Sequence, residues 1–455
     1  MEAPEPNNLA APTGAPSRPS PLRNARRRAR AQQRRRNQKI FLLFSIMFFA
    51  ACVSLAVYSV ALVASPGPRP ESAATEEGFG AAARLALTSR DVAGLLSGER
   101  PWEWPENTRS LTRHGETFTL KSTLDRDLQS YLESKLDTRH SAVVALAAVD
   151  PDTGNILALV GDGEAADGEN PCLRADYPAA SVFKMITAAA AVEAHDLTGD
   201  ELIAYRGNDH TLYRYQVGRR ESRRSRNTTL ENAFARSINP VFGKIGIYLL
   251  GHDLLKQKAE SFGFGKALGS ELPVETSRAP VPDDDFGIAE CASGYNRETR
   301  ISPLHGALLA AAAVNGGLIF SPAVIDSVYA ENGDLLYKHL PEVRSIACSP
   351  KAAERLGRLM TATVTEGTAR KTFRRAERDP VLSELIMGGK TGTISNGEDK
   401  NRLLYDWFVG YARRPEDGKK LAIACLVVHD KVLGTKAAKY ARWAFTRYFE
   451  DNLPG

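Results

Sequence analysis

Metal-binding patterns are missing from this chain. Its eight histidines are scattered, with no H-E-x-x-H, and its five cysteines fall at spacings that match no zinc site. That leaves a metalloenzyme without a recognisable ligand set, and no cofactor is implied. There is no internal repeat, so a repeat architecture is set aside. Composition is otherwise ordinary, 43% hydrophobic and 25% charged, so most of the chain should fold. The net charge of +5 is unevenly placed: residues 1–39 hold ten Arg/Lys and two Glu, a net of +8, which leaves about −3 for the rest. One stretch has no charge at all, Ile40 to Ala64, "IFLLFSIMFFAACVSLAVYSVALVA". At 1.5 Å per residue its 25 residues span the roughly 30 Å core of a bilayer. The run is too long for a cleavable signal peptide, and Leu62-Val63-Ala64 makes a poor cleavage site. The arginines before it hold the N-terminus in the cytoplasm and put residues from Ser65 onward outside. Basic runs also bind nucleic acid. Beside an apolar span, the membrane reading is the better one, and no nucleic-acid partner is expected. Of the cysteines, Cys52 lies in the span. Cys172, Cys291, Cys348 and Cys425 would be exported, where three pairings are open to them and buried free thiols are an equal alternative.

The expected organisation is a disordered basic tail (1–39), a transmembrane anchor (40–64), a linker or short pedestal (65–115) and one folded domain (116–451). Within that domain "STLDRDLQSYLESKLD" reads as a helix, with Leu124, Leu128, Leu132 and Leu136 on one face and Ser122 or Thr123 as cap. "SAVVALAAVD" and "NILALVGD" flank the turn Pro151–Gly154 and read as a strand hairpin. "NTTLENAFARSINPVFGKIGIYLL" reads as two helices broken at Asn239-Pro240, because a residue before proline is pushed out of the helical region. "ISPLHGALLAAAAVNGG" is a helix capped by Ser302 and stopped at Asn315-Gly316. Three strands follow, "IMGGKTGTI", "YDWFVGYAR" and "LAIACLVVHD", then a last amphipathic helix. Two strands early and three late predict an α+β fold: a five-stranded antiparallel sheet covered by helices on both faces.

The stretch "PAASVFKMITAAAAV" carries one charge in an otherwise apolar helix, Lys184, three residues after Ser181. Positions i and i+3 share a helix face. A lysine so buried loses its proton readily and becomes a base for the neighbouring hydroxyl. The bland alternative is a lysine snorkelling from a core helix. Two further motifs follow in order, Ser237-Ile238-Asn239 at the interhelical bend and Lys390-Thr391-Gly392-Thr393 on a strand. Alone, the first is as easily a turn and the second a solvated strand edge. All three together, each in a fitting context, form the set found in penicillin-binding proteins and class A β-lactamases.

From about residue 116 to 450 the chain resembles the transpeptidase domain of penicillin-binding proteins. "TLDRDLQSYLESKL", "AAVDPDTGNILALVGD", "TTLENAFARSIN", "RISPLHGALLAAAAVNGG", "LMTATVTEGTA" and "DWFVGYA" all fit its pattern. The resemblance implies a serine D,D-transpeptidase acting on peptidoglycan stem peptides that end in D-alanyl-D-alanine, and acylated by β-lactams. It makes Ser181 the nucleophile, Lys184 its base, and Ser237 a proton relay. Asn239 would hold the substrate amide and fix Lys184. Lys390, Thr391 and Thr393 would receive the terminal carboxylate, and Gly392 would leave the strand bare for substrate. The cytoplasmic membrane, and a glycosyltransferase or other wall-synthesis proteins, are the implied partners. No glycosyltransferase module and no R-G-x-I-x-D-R-N-G signature is found, which points to a short, transpeptidase-only form. The second motif reads Ser-Ile-Asn rather than Ser-Asp-Asn. A D,D-carboxypeptidase, a β-lactamase and a non-catalytic scaffold are the rivals. No E-x-x-x-N deacylation motif favours the lactamase, and three intact motifs speak against the scaffold.

Overall fold

The computed structural model describes residues 87–163, 169–220, 222–397, 403–430 and 432–450. The expected tail (1–39) and anchor (40–64) lie outside them. Among the described residues, no helix is long and apolar enough to cross a membrane. The central sheet is antiparallel and has five strands: β1 (Ser141–Val149), β2 (Ile156–Gly163), β3 (Ile386–Ser395), β4 (Leu404–Arg413) and β5 (Lys420–His429). Their spatial order is β3-β4-β5-β1-β2. Interspersed along the chain are α1 (Arg126–Lys135), α2 (Lys184–His195), α3 (Leu230–Ala235), α4 (Asn239–Ile245), α5 (Asp285–Ser293), α6 (Pro303–Ala312), α7 (Pro350–Thr365) and α8 (Ala437–Glu450).

The strands read as apolar runs because both faces of the sheet are covered. Period two still sorts their side chains. Ala145, Ala147 and Val149 of β1 join Ala422, Ala424 and Leu426 of β5 in one core, with α2, α6 and α7. Val144, Leu146 and Ala148 join Ile423, Cys425 and Val427 in the other, under α1 and α8. Helix α6 is buried along its whole length. Its composition is small enough to lie against the sheet: a Cβ on Gly306 would already stand 3.0 Å from Ala424 Cβ. Ser302 caps it by accepting from His305 N–H at 3.2 Å, as the sequence predicts.

Three expectations shift. The cap of α1 is Asp125, which accepts from Leu128 N–H at 2.9 Å. Ser122 instead ends a strand, and the Thr123 hydroxyl donates to Ile156 O and Ala323 O. The helix break falls three residues earlier than Asn239-Pro240, at Arg236–Ile238, because Pro240 is tolerated in the first turn of α4. The described part of the expected linker or pedestal, 87–115, is built into the domain. Its hairpin, Thr108–Arg113 with Glu116–Ser122, shares a four-stranded sheet with Ile325–Ala330 and Leu335–Lys338. Val92, Leu95, Leu96 and Trp104 enter the larger core, each contributing about 1.5–3 kcal/mol on burial. The Arg126 guanidinium, from α1, ties the segment down through Asn107 Oδ1, Pro101 O and Glu106 O. Cys172, Cys291, Cys348 and Cys425 are buried free thiols. Burial pushes Cys291 and Cys348 up to about 12.

Candidate active site

Ser181 lies in the tight turn Ala180–Phe183 that feeds α2. Ala180 has a left-handed φ of +49°, a conformation that costs a side-chain-bearing residue roughly 1–2 kcal/mol. The turn is braced from below by Gly294, itself left-handed at φ +64°, where a Cβ would fall 1.8 Å from Ala180 O. Ser237, between α3 and α4, is a second non-glycine residue in that region, at φ +60°. Two such strained residues in one cleft are typical of a site whose geometry is over-determined by its surroundings.

Lys184 is fully buried at the start of α2. Its Nζ stands 2.8 Å from Ser181 Oγ, 2.7 Å from Asn239 Oδ1 and 2.6 Å from the carbonyl of Ser293, and 5.6 Å from the Phe242 ring centroid. The Asn239 amide is oriented from both ends, because its Nδ2 donates to His210 O at 2.9 Å. Burial first, and the charge of Lys390 second, hold the Lys184 amine far below the ordinary lysine range. A neutral amine has two N–H groups and one lone pair. Asn239 Oδ1 and Ser293 O can only accept, so they take both N–H groups. In the neutral form the lone pair then faces Ser181 Oγ, 2.8 Å away, and is placed to take its proton.

Lys390 is also fully buried. Its Nζ donates to Thr391 O at 2.9 Å and lies 5.5 Å from the Phe234 ring centroid; burial pushes it down to about 7. Like Lys184, it lies behind the residues that line the cleft. The cleft has a volume of about 690 Å3, and its lining includes Ser181, Ser237, Asn239, Tyr295, Thr391 and Thr393. Thr391 Oγ1 is 2.5 Å from Thr368 Oγ1. Gly392 is also closely packed: a Cβ there would sit 3.3 Å from Ala180, Val182 and Trp407 atoms. Trp407 in turn donates its Nε1–H to Pro178 O at 2.9 Å, which fixes the strand before the serine turn. Among the described residues, strand β3 lies at the edge of the sheet, paired with β4. All three sequence motifs thus meet at one cleft, with Lys390 beneath it. The sequence reading missed the Ser293 carbonyl, Gly294, Thr368 and the His210 carbonyl. Gly294 left a trace as a helix stop in "ECASGYN", and Thr368 lies within the matching segment "LMTATVTEGTA".

A serine and a buried lysine one turn apart, set against the edge of a five-stranded sheet, define a serine acyl-enzyme scaffold. The chain belongs to the penicillin-binding proteins: a family model described as the penicillin binding protein transpeptidase domain matches residues 144–448. Among curated proteins it is similar to the peptidoglycan D,D-transpeptidase PbpA of Mycobacterium tuberculosis, 28% identical over 62% of this chain and 61% of the relative. It is also similar to stage V sporulation protein D of Bacillus subtilis, 26% identical over 72% of this chain and 52% of that protein. The matches thus span between about half and three fifths of these relatives' own length. Among solved structures, the D,D-transpeptidase domain of a peptidoglycan glycosyltransferase from Eggerthella lenta superposes with a TM-score of 0.59, at 23% identity, covering 73% of this chain and 83% of that one. Penicillin-binding protein A of M. tuberculosis in its penicillin G acyl-enzyme complex does so at 0.56, with 24% identity, 72% and 80% coverage. These two likenesses establish the fold.

Proposed function

We propose that the chain is a peptidoglycan D,D-transpeptidase working through an acyl-enzyme on Ser181 and inhibited covalently by β-lactams. One observation carries the reading: the Lys184 amine touches Ser181 Oγ and two neutral carbonyls, and no carboxylate. An amine so placed is a base at neutral pH. Lys184 takes the hydroxyl proton as Oγ attacks the penultimate D-alanine carbonyl. The N–H of Ser181 and that of Thr393 receive the developing oxyanion. Ser237 passes the proton to the departing D-alanine amine, and the Oγ–carbonyl ester remains. An acceptor amine then attacks that ester, its proton returns to Ser181 Oγ, and the cross-link forms. Thr391 and Thr393 hydroxyls orient the substrate carboxylate. Lys390 acts from beneath, through its field, on both that carboxylate and Lys184.

The sequence supports further readings. Residues 40–64 anchor the chain in the cytoplasmic membrane, 1–39 stay inside, and the catalytic domain, to 451, works outside. A glycosyltransferase supplying the glycan strand is the fitting partner. The test is a labelled penicillin. A long-lived adduct lost in Ser181→Ala is expected, and an added acceptor amine should divert acyl groups from water. Fast release of label would instead mark a β-lactamase, and indifference to the acceptor a carboxypeptidase. An unlabelled, correctly folded wild-type chain would refute the acyl-enzyme altogether.

A further inference from the structure

Seven arginines and no lysine stand between Tyr205 and Asn227, with Asp209 and Glu221 as the acids. A run of like charge is ordinarily a solvated loop. This one is built into the fold. Gln216 is fully buried and fixes the chain on both sides: its Oε1 accepts from Tyr213 N–H at 2.8 Å, and its Nε2 donates to Arg206 O and Asn208 O at 3.2 and 3.1 Å. Leu212 and Val217 pack on Ala289 of α5, and the Tyr248 hydroxyl donates to Val217 O at 2.8 Å. Ser222 and Ser225 close the turn that carries Arg223 and Arg224: Ser222 N–H donates to Ser225 Oγ at 3.0 Å, and Ser225 N–H to Ser222 O at 2.9 Å. On that frame Tyr213 and Tyr215, each 55% exposed, lie ring to ring, 5.8 Å apart and 10° from parallel. The Arg206 guanidinium lies 5.6 Å from the Tyr215 ring centroid, and that of Arg219 lies 4.9 Å from Tyr248. A guanidinium stacked on a ring keeps its N–H edge for an oxyanion. Asp209 is taken by Arg226 at 2.9 Å, with Arg236 at 3.9 Å. Arg214 lies in the field of Glu290. Arg219, Arg220, Arg223 and Arg224 are exposed and have no carboxylate partner among the described residues; Glu221 is the one acid between them in sequence.

We propose that this loop is a docking platform for an acidic polysaccharide, whose sugar rings lie against Tyr213 and Tyr215 while its acid groups sit in the forks of Arg219, Arg220, Arg223 and Arg224. Three features choose that chemistry. Arginine throughout, with no lysine, suits two-pronged binding of an oxyanion better than a bare point charge does. Four guanidiniums between positions 219 and 224 suit a ligand whose charge repeats along its length. The exposed ring pair needs flat, partly apolar faces beside those charges, which a sugar ring has and a polyphosphate or polyglutamate chain lacks. The acid groups belong to the polymer itself, so this ligand is distinct from the peptide proposed for the cleft, and the inference does not depend on the acyl-transfer reading. The same loop reaches the catalytic cleft at His210, so a polymer docked on it is held beside the cleft mouth. The attraction should weaken with salt, since these arginines are exposed.

The experiment titrates a fluorescent hyaluronate oligosaccharide, in which uronate and amino sugar alternate, into the full chain in a non-ionic detergent. Neutral dextran, polyglutamate and inorganic polyphosphate serve as competitors. Binding at low salt is expected, weakened by salt, displaced by unlabelled hyaluronate and untouched by dextran. Arg219→Ala/Arg220→Ala should weaken it by about 2- to 25-fold, and so should Arg223→Ala/Arg224→Ala, a second pair in case the first disturbs the loop. Tyr213→Ala should weaken it by about twofold to tenfold, whereas Tyr213→Phe should bind as wild type does. Penicillin acylation should run at the wild-type rate in every variant, which shows that each is folded. Undiminished binding in both arginine pairs, or in a folded Tyr213→Ala chain, overturns the proposal. So does a wild-type chain that fails to bind hyaluronate at low salt. Stronger displacement, charge for charge, by polyglutamate or by polyphosphate than by hyaluronate also overturns it, and would assign the arginines to an acidic protein or to a phosphate polymer.

Discussion

Asn239→Asp puts the neutrality of Lys184 to the test with one atom. The Asn239 amide oxygen accepts from Lys184 Nζ at 2.7 Å. A carboxylate there becomes an opposite charge in direct contact, which raises an amine's pKa by about 1–3 units. The sign follows: Lys184 lies far below the ordinary lysine range in the native site, so the new charge moves it back up and keeps it protonated over a wider span of pH. The fraction present as free base at pH 7 should fall, by at most about 10- to 1,000-fold, the full factor applying to whatever part of the shift lies above pH 7. The rate of penicillin acylation should fall with it, and raising the pH by the same 1–3 units should recover it. Asn239→Ala is the control: it removes the bond without adding charge and should slow acylation while shifting the profile far less. The new carboxylate also loses the Nδ2 donor to His210 O, so thermal stability is read alongside the rate. An Asn239→Asp chain that folds and is acylated at the wild-type rate at pH 7 would refute the argument. So would a slower rate whose pH profile has not moved.

Lys390→Met should stabilise the fold by about 1–4 kcal/mol at pH 7 while slowing acylation, because it removes a buried cation with no carboxylate partner. The wild type has its Lys390 pushed down to about 7 from 10.5, so the unfolded chain binds the extra proton. Stability should therefore rise as pH climbs through that window, whereas the variant loses this contribution; urea titrations at several pH values measure both. Gly294→Ala places a Cβ 1.8 Å from Ala180 O at a left-handed φ. It should lower stability by more than about 1–2 kcal/mol and displace the Ser181 turn, seen as a lower melting temperature together with slower penicillin labelling.

Local chemistry was readable wherever a residue's neighbours in the chain are also its neighbours in space. Ser302 and Pro303 start α6 as their types require, and the apolar runs at 141–149 and 420–429 form β1 and β5. The cap of α1 was misjudged because Ser122, Thr123 and Asp125 are all competent caps, and only the pairing of Ser122 with Ile325 in the side sheet leaves Asp125 to do it. Residues 87–115 read as a linker because their apolar side chains are few and spaced. Their core is completed by strands more than two hundred residues away, which no local window contains.

By itself the sequence determined the reactive groups and their nearest geometry: Ser181 one turn from Lys184, Ser237-Ile238-Asn239 between two helices, and Lys390-Thr391-Gly392-Thr393 on a strand. Tertiary structure alone decided that Lys184 meets Asn239 and the Ser293 carbonyl, and that Gly392 packs against Ala180 and Val182. The reason is that a proton's affinity for an amine is set by desolvation and by charges through space. Both depend on what packs around the nitrogen, and most of what surrounds Lys184 comes from distant parts of the chain.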